Sequence, residues 1–195
     1  MRDALTSVQT PDEILVERAR AHDPEAREEL FQRYRNDGYR VAFRLLGNEQ
    51  DALDVVQEAL LKAFSRLAEF DGRSGFRCWF LRITTNTALD WGRRRKRRPT
   101  HSLGESTAFL TEAASDDDPA RRLYMQDLRR ALDRALARLS PKIRTTFVLF
   151  AELGMSYKEI AETEEVAIGT VMSRINAARK KLQETLDWDK LKGLD

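Results

Sequence analysis

Apolar residues recur at three- and four-residue intervals along most of the chain, and no stretch clearly has the two-residue alternation of a half-buried strand. The most regular repeat predicts a helix from Glu49 to about Ala68. Its apolar stripe consists of Ala52, Val55, Val56, Ala59, Leu60, Ala63, Phe64 and Leu67. The opposite face carries Asp54, Gln57, Glu58, Leu61 and Lys62. That face is either an ordinary solvated surface or a docking surface with Leu61 as its apolar anchor.

Short motifs predict where the other helices begin and end. Thr10 to Glu13 has the form of a capping box with proline at the first helical position. Asp23-Pro24 predicts the start of a second helix, and Gly47 predicts its end. Ser140-Pro141 predicts the start of a later helix that Gly154 ends. Because every predicted element is helical, we expect an all-α protein.

The segment from Phe70 to Arg98 combines a turn, an aromatic helix and a basic end. Asp71-Gly72 is a turn signal, and Ser74 is the predicted N-cap of the helix. The helix interleaves the aromatic residues Phe76, Trp79, Phe80 and Trp91 with Arg77 and Arg82, and it ends in the basic run Arg93 to Arg98. Arginine binds phosphate and an aromatic ring stacks on a base, so the segment suits a single nucleic-acid strand. The alternative is that the aromatic residues are core and the basic run is a solvated helix end.

The last part of the chain has the pattern of a helix-turn-helix. Ser156 to Glu159 is a capping box that opens a short helix, a break surrounds Glu165, and a longer helix runs from Gly169 to about Leu186. The face opposite its apolar stripe carries Thr170, Ser173, Arg174 and Ala177, and Arg179, Lys180 and Lys181 follow near its end. Small polar residues let a helix enter the major groove while cations reach phosphate, so this pattern indicates DNA binding.

Between these two parts lies a segment with no helical repeat. Residues 99–121 contain Pro99, Gly104, Pro119, many Ser and Thr, and the run Asp116-Asp117-Asp118, which together predict an acidic flexible linker. We therefore expect two small helical domains, at 1–98 and 122–195. The aspartates have no regularly spaced partner ligands, so we expect no metal site.

Composition narrows the class of protein further. The 195 residues are 42% apolar, enough for a core, and 34% charged; basic parts flank the acidic linker and favour a polyanionic partner. Cys78 is the only cysteine, which excludes a disulfide framework within the chain and suggests a core residue. No apolar run approaches the ~20 residues that cross a bilayer, and no signal peptide is visible. We expect a cytoplasmic protein with no direct membrane insertion.

Taken together, these parts resemble a bacterial RNA polymerase sigma factor of the extracytoplasmic-function (ECF) group. The resemblance extends from about Ile14 to Leu186 and rests on four stretches in this order: DALDVVQEALLKAF, FDGRSGFRCWFLRITTNTALDWGRRRKRR, LSPKIRTTFVLF and GMSYKEIAETEEVAIGTVMSRINAARKKL. It implies a domain similar to sigma region two and a helix-turn-helix domain similar to region four. The implied function is to bind core RNA polymerase and direct initiation at promoter −10 and −35 elements. It implies that promoter DNA and an anti-sigma factor are partners. It implies no enzyme activity, no cofactor and no small-molecule substrate.

The resemblance also implies roles for individual residues. The polymerase-binding helix of the family matches Asp54, Gln57, Glu58 and Leu61. The loop from Asp71 to Gly75 matches the loop that captures a flipped base of the melted downstream element. The implied DNA contacts in the first domain are Asp71, Gly72, Arg73, Ser74, Arg77, Trp79, Arg82, Asn86, Arg93 and Arg94. Those in the second domain are Thr170, Ser173, Arg174, Arg179 and Lys180. Trp79-Phe80 matches the tandem tryptophans of primary sigma factors only in part, so Trp79 is either a strand-separating wedge or a core residue.

Two other function classes are weaker. A stand-alone helix-turn-helix regulator would bind duplex DNA without polymerase, and the first domain would then have no role. A nuclease would need clustered carboxylates or histidines at metal-ligand spacing, which the sequence lacks.

Overall fold

The structure is a computed structural model that describes residues 10–97 and 119–185, and all regular structure in these residues is helical. The all-α prediction is therefore confirmed for this part of the chain. The helices are α1 (Asp12–Arg20), α2 (Pro24–Leu46), α3 (Glu49–Ser65), α4 (Phe76–Arg97), α5 (Pro119–Ala137), α6 (Pro141–Ala151), α7 (Tyr157–Glu164) and α8 (Ile168–Thr185), with a 3₁₀ turn at Leu67–Glu69. Of the linker predicted at 99–121, only the last three residues are described, and they belong to α5. Arg98 and Asp116 to Asp118 lie outside the described residues.

Several predicted helix ends are confirmed by their caps. The Asp23 carboxylate accepts hydrogen bonds from the backbone N–H groups of Glu25 and Ala26, at 2.9 and 3.3 Å. Gly47 follows α2 in the left-handed conformation, with φ of 69°. Ser156 and Glu159 form the predicted reciprocal capping box at the start of α7. Local polar and glycine signals therefore fix these boundaries.

Three other predicted boundaries are wrong. Thr10 forms no capping box, because α1 begins after Pro11 and the Pro11 carbonyl accepts from the N–H of Leu15 at 3.2 Å. Ser74 is not the N-cap of α4, which begins at Phe76 and uses the carbonyl of Gly75 for its first bond. The helix α6 ends at Ala151, before Gly154, whose φ of 63° belongs to the turn that leads to α7.

The first block of the fold, α1 to α4, surrounds an apolar core. Leu15, Leu30, Phe76 and Phe80 are at most 2% exposed and belong to one cluster of buried residues. Gly38 lies in the middle of α2 against Phe80, and a Cβ at this position would stand 3.0 Å from the Phe80 ring. Glycine therefore lets α2 approach α4 closely.

The second block, α5 to α8, contains the helix-turn-helix. Its inner stripe on α8 consists of Val171, Ile175, Ala178 and Leu182, as the sequence predicts. Glu165 occupies the turn between α7 and α8 with φ of 53°, an uncommon conformation for a residue other than glycine. The recognition-type helix α8 thus packs on α5, α6 and α7 and leaves its opposite face exposed.

The two blocks pack directly against each other through a surface that we name the block interface. Val41, Cys78 and Leu81 of the first block belong to one buried cluster with residues of the second block. Those partners are Val148, Leu149, Leu153, Met155, Ile160, Ala161, Val171 and Ile175. Arg44 at the edge of this cluster pairs with Asp133 and Glu152 of the second block. The prediction that Cys78 is a core residue is confirmed, and its place is between the blocks.

No helix in the described part of the chain is long and apolar enough to cross a membrane.

Candidate protein and nucleic-acid interfaces

The exposed face of α3 combines acidic, amide and apolar side chains. Gln57 and Leu61 are exposed, Leu61 to 66%, whereas Asp54 and Glu58 are half-buried. Glu58 pairs with Lys62 at 2.6 Å, one turn along the helix. The structure adds Leu53, 49% exposed and one turn before Gln57. Leu53 lies two turns before Leu61 on the same face of the helix, although it was not among the residues predicted there.

The loop before α4 is shaped by Asp71. Its carboxylate accepts from the backbone N–H of Arg73 at 3.0 Å and pairs with the Arg73 guanidinium at 2.5 Å. These bonds, the backbone bond first, hold the pKa of Asp71 below its ordinary value. Gly72 follows with φ of 74°, which a residue with a side chain rarely adopts. The loop is therefore held in a turn by its own residues.

Two cavities border this loop. One, of about 230 Å³, lies between the loop and α1 and is lined by Glu13, Glu17 and Arg20 together with Phe76. The other, of about 730 Å³, separates Arg73, Ser74 and Trp79 from α7 and the start of α8. The loop thus faces a cavity on each side.

Arg77 and Arg82 of α4 are engaged by other parts of the chain. The Arg77 guanidinium pairs with Asp37 at 2.8 Å and donates to the carbonyl of Leu153, in the second block, at 3.1 Å. Arg82 pairs with Glu165, in the turn between α7 and α8. Both arginines are therefore part of the contact between the blocks in this structure.

The end of α4 is more open. Asn86, Arg93 and Arg94 are exposed, and Arg93 pairs with Asp90, which lowers the pKa of that carboxyl. Arg94, Arg95 and Arg97 line a surface hollow of about 670 Å³ together with Trp91. This end of the helix presents cations beside an aromatic ring.

Trp79 lies in the core of the first block. It is 6% exposed, and its ring lies 5.1 Å from that of Phe70 and 5.8 Å from that of Phe76, centroid to centroid. In this conformation the indole has no face to offer a base. Of the two roles the sequence allows for Trp79, the geometry matches the core role.

On α8 the predicted DNA-contact residues differ in their surroundings. Ser173 and Lys180 are exposed, while Thr170 is half-buried and its carbonyl accepts from the Ser173 hydroxyl at 2.9 Å. The Arg179 guanidinium lies over the ring of Phe150, 5.4 Å from its centroid. Arg174 is turned toward the protein.

The partner of Arg174 is Glu164, which the sequence analysis did not single out. The two form an ion pair at 3.0 Å with side chains that are 18% and 8% exposed, and the Thr146 hydroxyl donates to the same carboxylate at 2.7 Å. Burial raises the pKa of Glu164, against the opposing influence of Thr146 and Arg174. No local pattern distinguishes this glutamate from its neighbours Glu162 and Glu165. Within the described ranges, no cluster of His, Cys, Asp and Glu could hold a metal ion.

Comparison with known families divides the chain into two matching regions. Residues 30–98 match the family Sigma-70 region 2, and residues 129–182 match the family Sigma-70, region 4. The first match includes α3 and α4, and the second includes α6, α7 and nearly all of α8. The exposed face of α3, the loop with α4, and nearly all of α8 thus lie within matched regions.

Individual relatives match over most of their length. The chain is 33% identical over 183 residues to the RNA polymerase sigma-H factor of Pseudomonas aeruginosa, covering 91% of this chain and 95% of that protein. It is 34% identical over 181 residues to the ECF RNA polymerase sigma-E factor of Escherichia coli, covering 90% and 94%. It is 36% identical over 159 residues to the ECF RNA polymerase sigma factor SigE of Mycolicibacterium smegmatis, covering 82% of this chain but only 61% of that longer relative.

Solved structures show the same helical arrangement. CnrH, in complex with the cytosolic domain of CnrY, superposes with a TM-score of 0.66 and 29% identity, covering 91% of this chain and 98% of that one. The sigma factor RpoE of Bartonella quintana, in complex with the anti-sigma factor NepR, gives a TM-score of 0.63 and 26% identity, covering 81% and 94%.

Proposed function

The chain belongs to the ECF group of sigma-70 factors, which direct promoter-specific transcription initiation by bacterial RNA polymerase, and we propose that it does so through three surfaces. The observation that carries this proposal is that one chain joins an exposed acidic and apolar face on α3 to two helices that carry cations, α4 and α8. A stand-alone DNA-binding protein would have no use for the first of these surfaces.

The proposed polymerase-binding surface is the exposed face of α3. Asp54, Gln57 and Glu58 supply polar contacts, and Leu61 with the newly found Leu53 supplies apolar anchors. Exposed leucines that flank charged and amide groups are typical of a protein interface with an apolar centre and a polar rim.

The proposed promoter-binding surfaces lie on α8 and on the segment from Asp71 to Arg97. The exposed face of α8 reads the upstream −35 element as a duplex, since Arg179, Lys180 and Lys181 supply charge for phosphate. The loop and α4 hold the melted −10 element, with Asn86, Arg93 and Arg94 among the contacts. The cavity of about 230 Å³ between the loop and α1 is a suitable place for an extruded base, because Phe76 and the carboxylates of α1 line it.

In the present structure Arg77 and Arg82 contact the second block. If Arg82 binds promoter DNA, its guanidinium must release Glu165, and separation of the two blocks would release Arg77 and Arg82 together. The proposed sequence is therefore that binding to core polymerase separates the blocks and promoter DNA then takes over the arginines.

Catalysis of RNA synthesis belongs to the polymerase in this proposal, so the chain itself is not an enzyme and acts in the cytoplasm where the polymerase is. An anti-sigma factor is a further proposed partner. This partner is supported by the RpoE complex with NepR, whose sigma factor covers both blocks of this chain.

Run-off transcription tests the proposal directly. Purified chain and bacterial core polymerase are incubated with a library of genomic promoters, and the transcript ends are sequenced. Defined starts that require the chain, with shared upstream and downstream elements, are expected. Specific duplex binding by the chain alone, with no new starts, would instead favour a stand-alone regulator.

The polymerase surface can be tested by charge reversal. Glu58→Lys should reduce affinity for core polymerase by more than about tenfold, because close like charges at an interface are strongly unfavourable. Affinity is measured by fluorescence titration of labelled chain with core enzyme. Glu28→Lys is the matched control, since Glu28 is an exposed glutamate on α2 and should leave binding unchanged. Normal binding by Glu58→Lys would contradict the assignment.

A further inference from the structure

Two large apolar side chains are exposed at the start of α8. Ile168 and Met172 lie one turn apart and are 47% and 48% exposed. Neither residue belongs to the buried stripe of α8, and neither is among the predicted DNA contacts. Met172 stands next to Ser173 on the face that is proposed to enter the major groove. The apolar group that a base pair presents in that groove is the C5-methyl of thymine.

One turn after Met172 the same side of α8 carries Asn176, which is also exposed. An asparagine amide forms a bidentate pair with N6 and N7 of adenine in the major groove. The two residues are about 6 Å apart along the helix axis, which corresponds to one or two base-pair steps of ~3.4 Å. Met172 and Asn176 can therefore contact neighbouring base pairs.

The charge on α8 identifies DNA as the occupant of this face. From Ile168 to Gln183 the helix has no acidic residue, and its exposed cations are Arg179, Lys180 and Lys181. The first carboxylate, Glu184, pairs with Lys181 at 3.5 Å. An apolar side chain beside such a run of cations suits a polyanion that also exposes methyl groups. Duplex DNA is such a polyanion, because its thymine methyl groups are exposed in the major groove.

Arg174 is less suited to read a base than its position in the sequence predicts. Its guanidinium is held by the buried Glu164 at 3.0 Å and is only 18% exposed. Moving it to the groove would leave that carboxylate buried without its cation, which is unfavourable. Met172 and Asn176, with Ser173 and Ala177, are thus the exposed residues that remain on this face to contact bases.

We propose that Met172 contacts the C5-methyl of a thymine and Asn176 binds N6 and N7 of an adenine in the upstream element, so that α8 selects A·T pairs at neighbouring positions. This inference rests on the proposed function, since it assumes that α8 reads the upstream duplex. It adds the base class and the residues that choose it.

The experiment removes single atoms from the DNA. Each thymine of the upstream element found by run-off transcription is replaced singly by deoxyuridine, and each adenine by 7-deazaadenine. Holoenzyme affinity for each full promoter is measured by competition. One deoxyuridine should weaken wild-type binding about fourfold, the effect of one buried methyl-sized group. One 7-deazaadenine should weaken it about fivefold, the effect of one lost hydrogen bond.

Two variants assign these effects, and each is the control for the other. Met172→Ala should lose the sensitivity to deoxyuridine and keep that to 7-deazaadenine, whereas Asn176→Ala should do the reverse. Both side chains are exposed, so neither substitution removes core packing. A promoter without a sensitive thymine, or sensitivities that persist in the variants, would overturn the inference. Absence of any defined start with the wild-type chain would instead contradict the proposed function.

Discussion

The two segments proposed to bind DNA hold their cations in different ways. On α4, Arg77 and Arg82 form bonds to the second block through the Leu153 carbonyl and Glu165. On α8, Lys180 and the polar face around Asn176 are exposed. The upstream reader is therefore presented to solvent, while part of the downstream binder is covered by the chain itself.

This difference means that the two DNA elements meet different competitors. Duplex DNA at α8 displaces water and ions, whereas a strand at Arg82 must also displace a carboxylate of the same chain. The apparent affinity of a site that exists only when the blocks are separated falls in proportion to the population of that form. The stability of the block interface should therefore control downstream binding more than upstream binding.

The substitution with the largest expected effect disrupts the block interface. Leu81→Asp places a carboxylate at a fully buried position of that interface, at a cost of several kcal/mol unless the blocks separate. We expect the radius of gyration from small-angle X-ray scattering to rise while the helix content from circular dichroism is retained. Leu61→Asp, at an exposed leucine, should change neither quantity. An unchanged radius of gyration for a folded Leu81→Asp chain would contradict the role of this interface.

A substitution with a smaller expected effect removes one ion pair between the blocks. Glu165→Asn removes the carboxylate that pairs with Arg82 and keeps a residue type that tolerates the left-handed turn. An exposed pair contributes about 0.2–1 kcal/mol, so assembly of the chain, core polymerase and promoter should become up to about fivefold tighter. Arg82→Ala should act in the opposite direction, because it removes the proposed DNA contact as well.

Titration of fluorescent promoter DNA with equimolar chain and core polymerase measures both effects. Glu162→Ala is the control, since Glu162 lies on α7 and forms no ion pair with Arg82. Weaker assembly with both Glu165→Asn and Arg82→Ala would show that the pair does not compete with DNA.

The smallest expected effect concerns Glu164, which pairs with Arg174 of α8. Burial raises the pKa of Glu164 above its ordinary value of 4.5, so its protonated form favours the folded state. The contribution of this group to stability is therefore greatest below pH 4.5 and is lost as pH rises through the raised pKa. Relative to Glu164→Gln, the wild type should lose stability between pH 4.5 and neutral pH.

Urea unfolding across this pH range measures the difference between wild type and variant. Glu159→Gln gives a control of opposite sign, because hydrogen bonds from Ser156 lower the pKa of Glu159 and make its contribution grow as pH rises. A wild-type advantage over Glu164→Gln that grows with pH would mean that the attraction of Arg174 outweighs burial.

Much of the fold could be predicted because its signals are local. The Asp23 cap, the turn at Gly47 and the capping box of Ser156 each depend on residues within a few positions of one another. The helix starts predicted at Thr10 and Ser74 were wrong by one or two residues. The start depends on which of several neighbouring carbonyls accepts the first helical hydrogen bond, and residue propensity does not distinguish neighbouring positions.

The candidate sites were predictable as surfaces but not as contacts. Exposed faces of α3 and α8 follow from the helical period, which is why Leu61 and Ser173 were found. Arg77 meets a carbonyl 76 positions away and Arg174 meets a carboxylate 10 positions away, and no periodic pattern encodes either partner. The role of Trp79 was left open for a related reason: an aromatic residue gives the same sequence pattern whether it packs against Phe70 or stacks on a base.

Cys78 gives the chain a built-in chemical reporter. It is the only thiol, it is 4% exposed, and it lies in the cluster that joins the blocks, where burial raises its pKa. A thiol reagent should react with it slowly while the blocks are packed together and much faster once they part, because both access and thiolate fraction increase. The labelling rate of the unmodified protein therefore reads out how often the block interface opens, without an added probe.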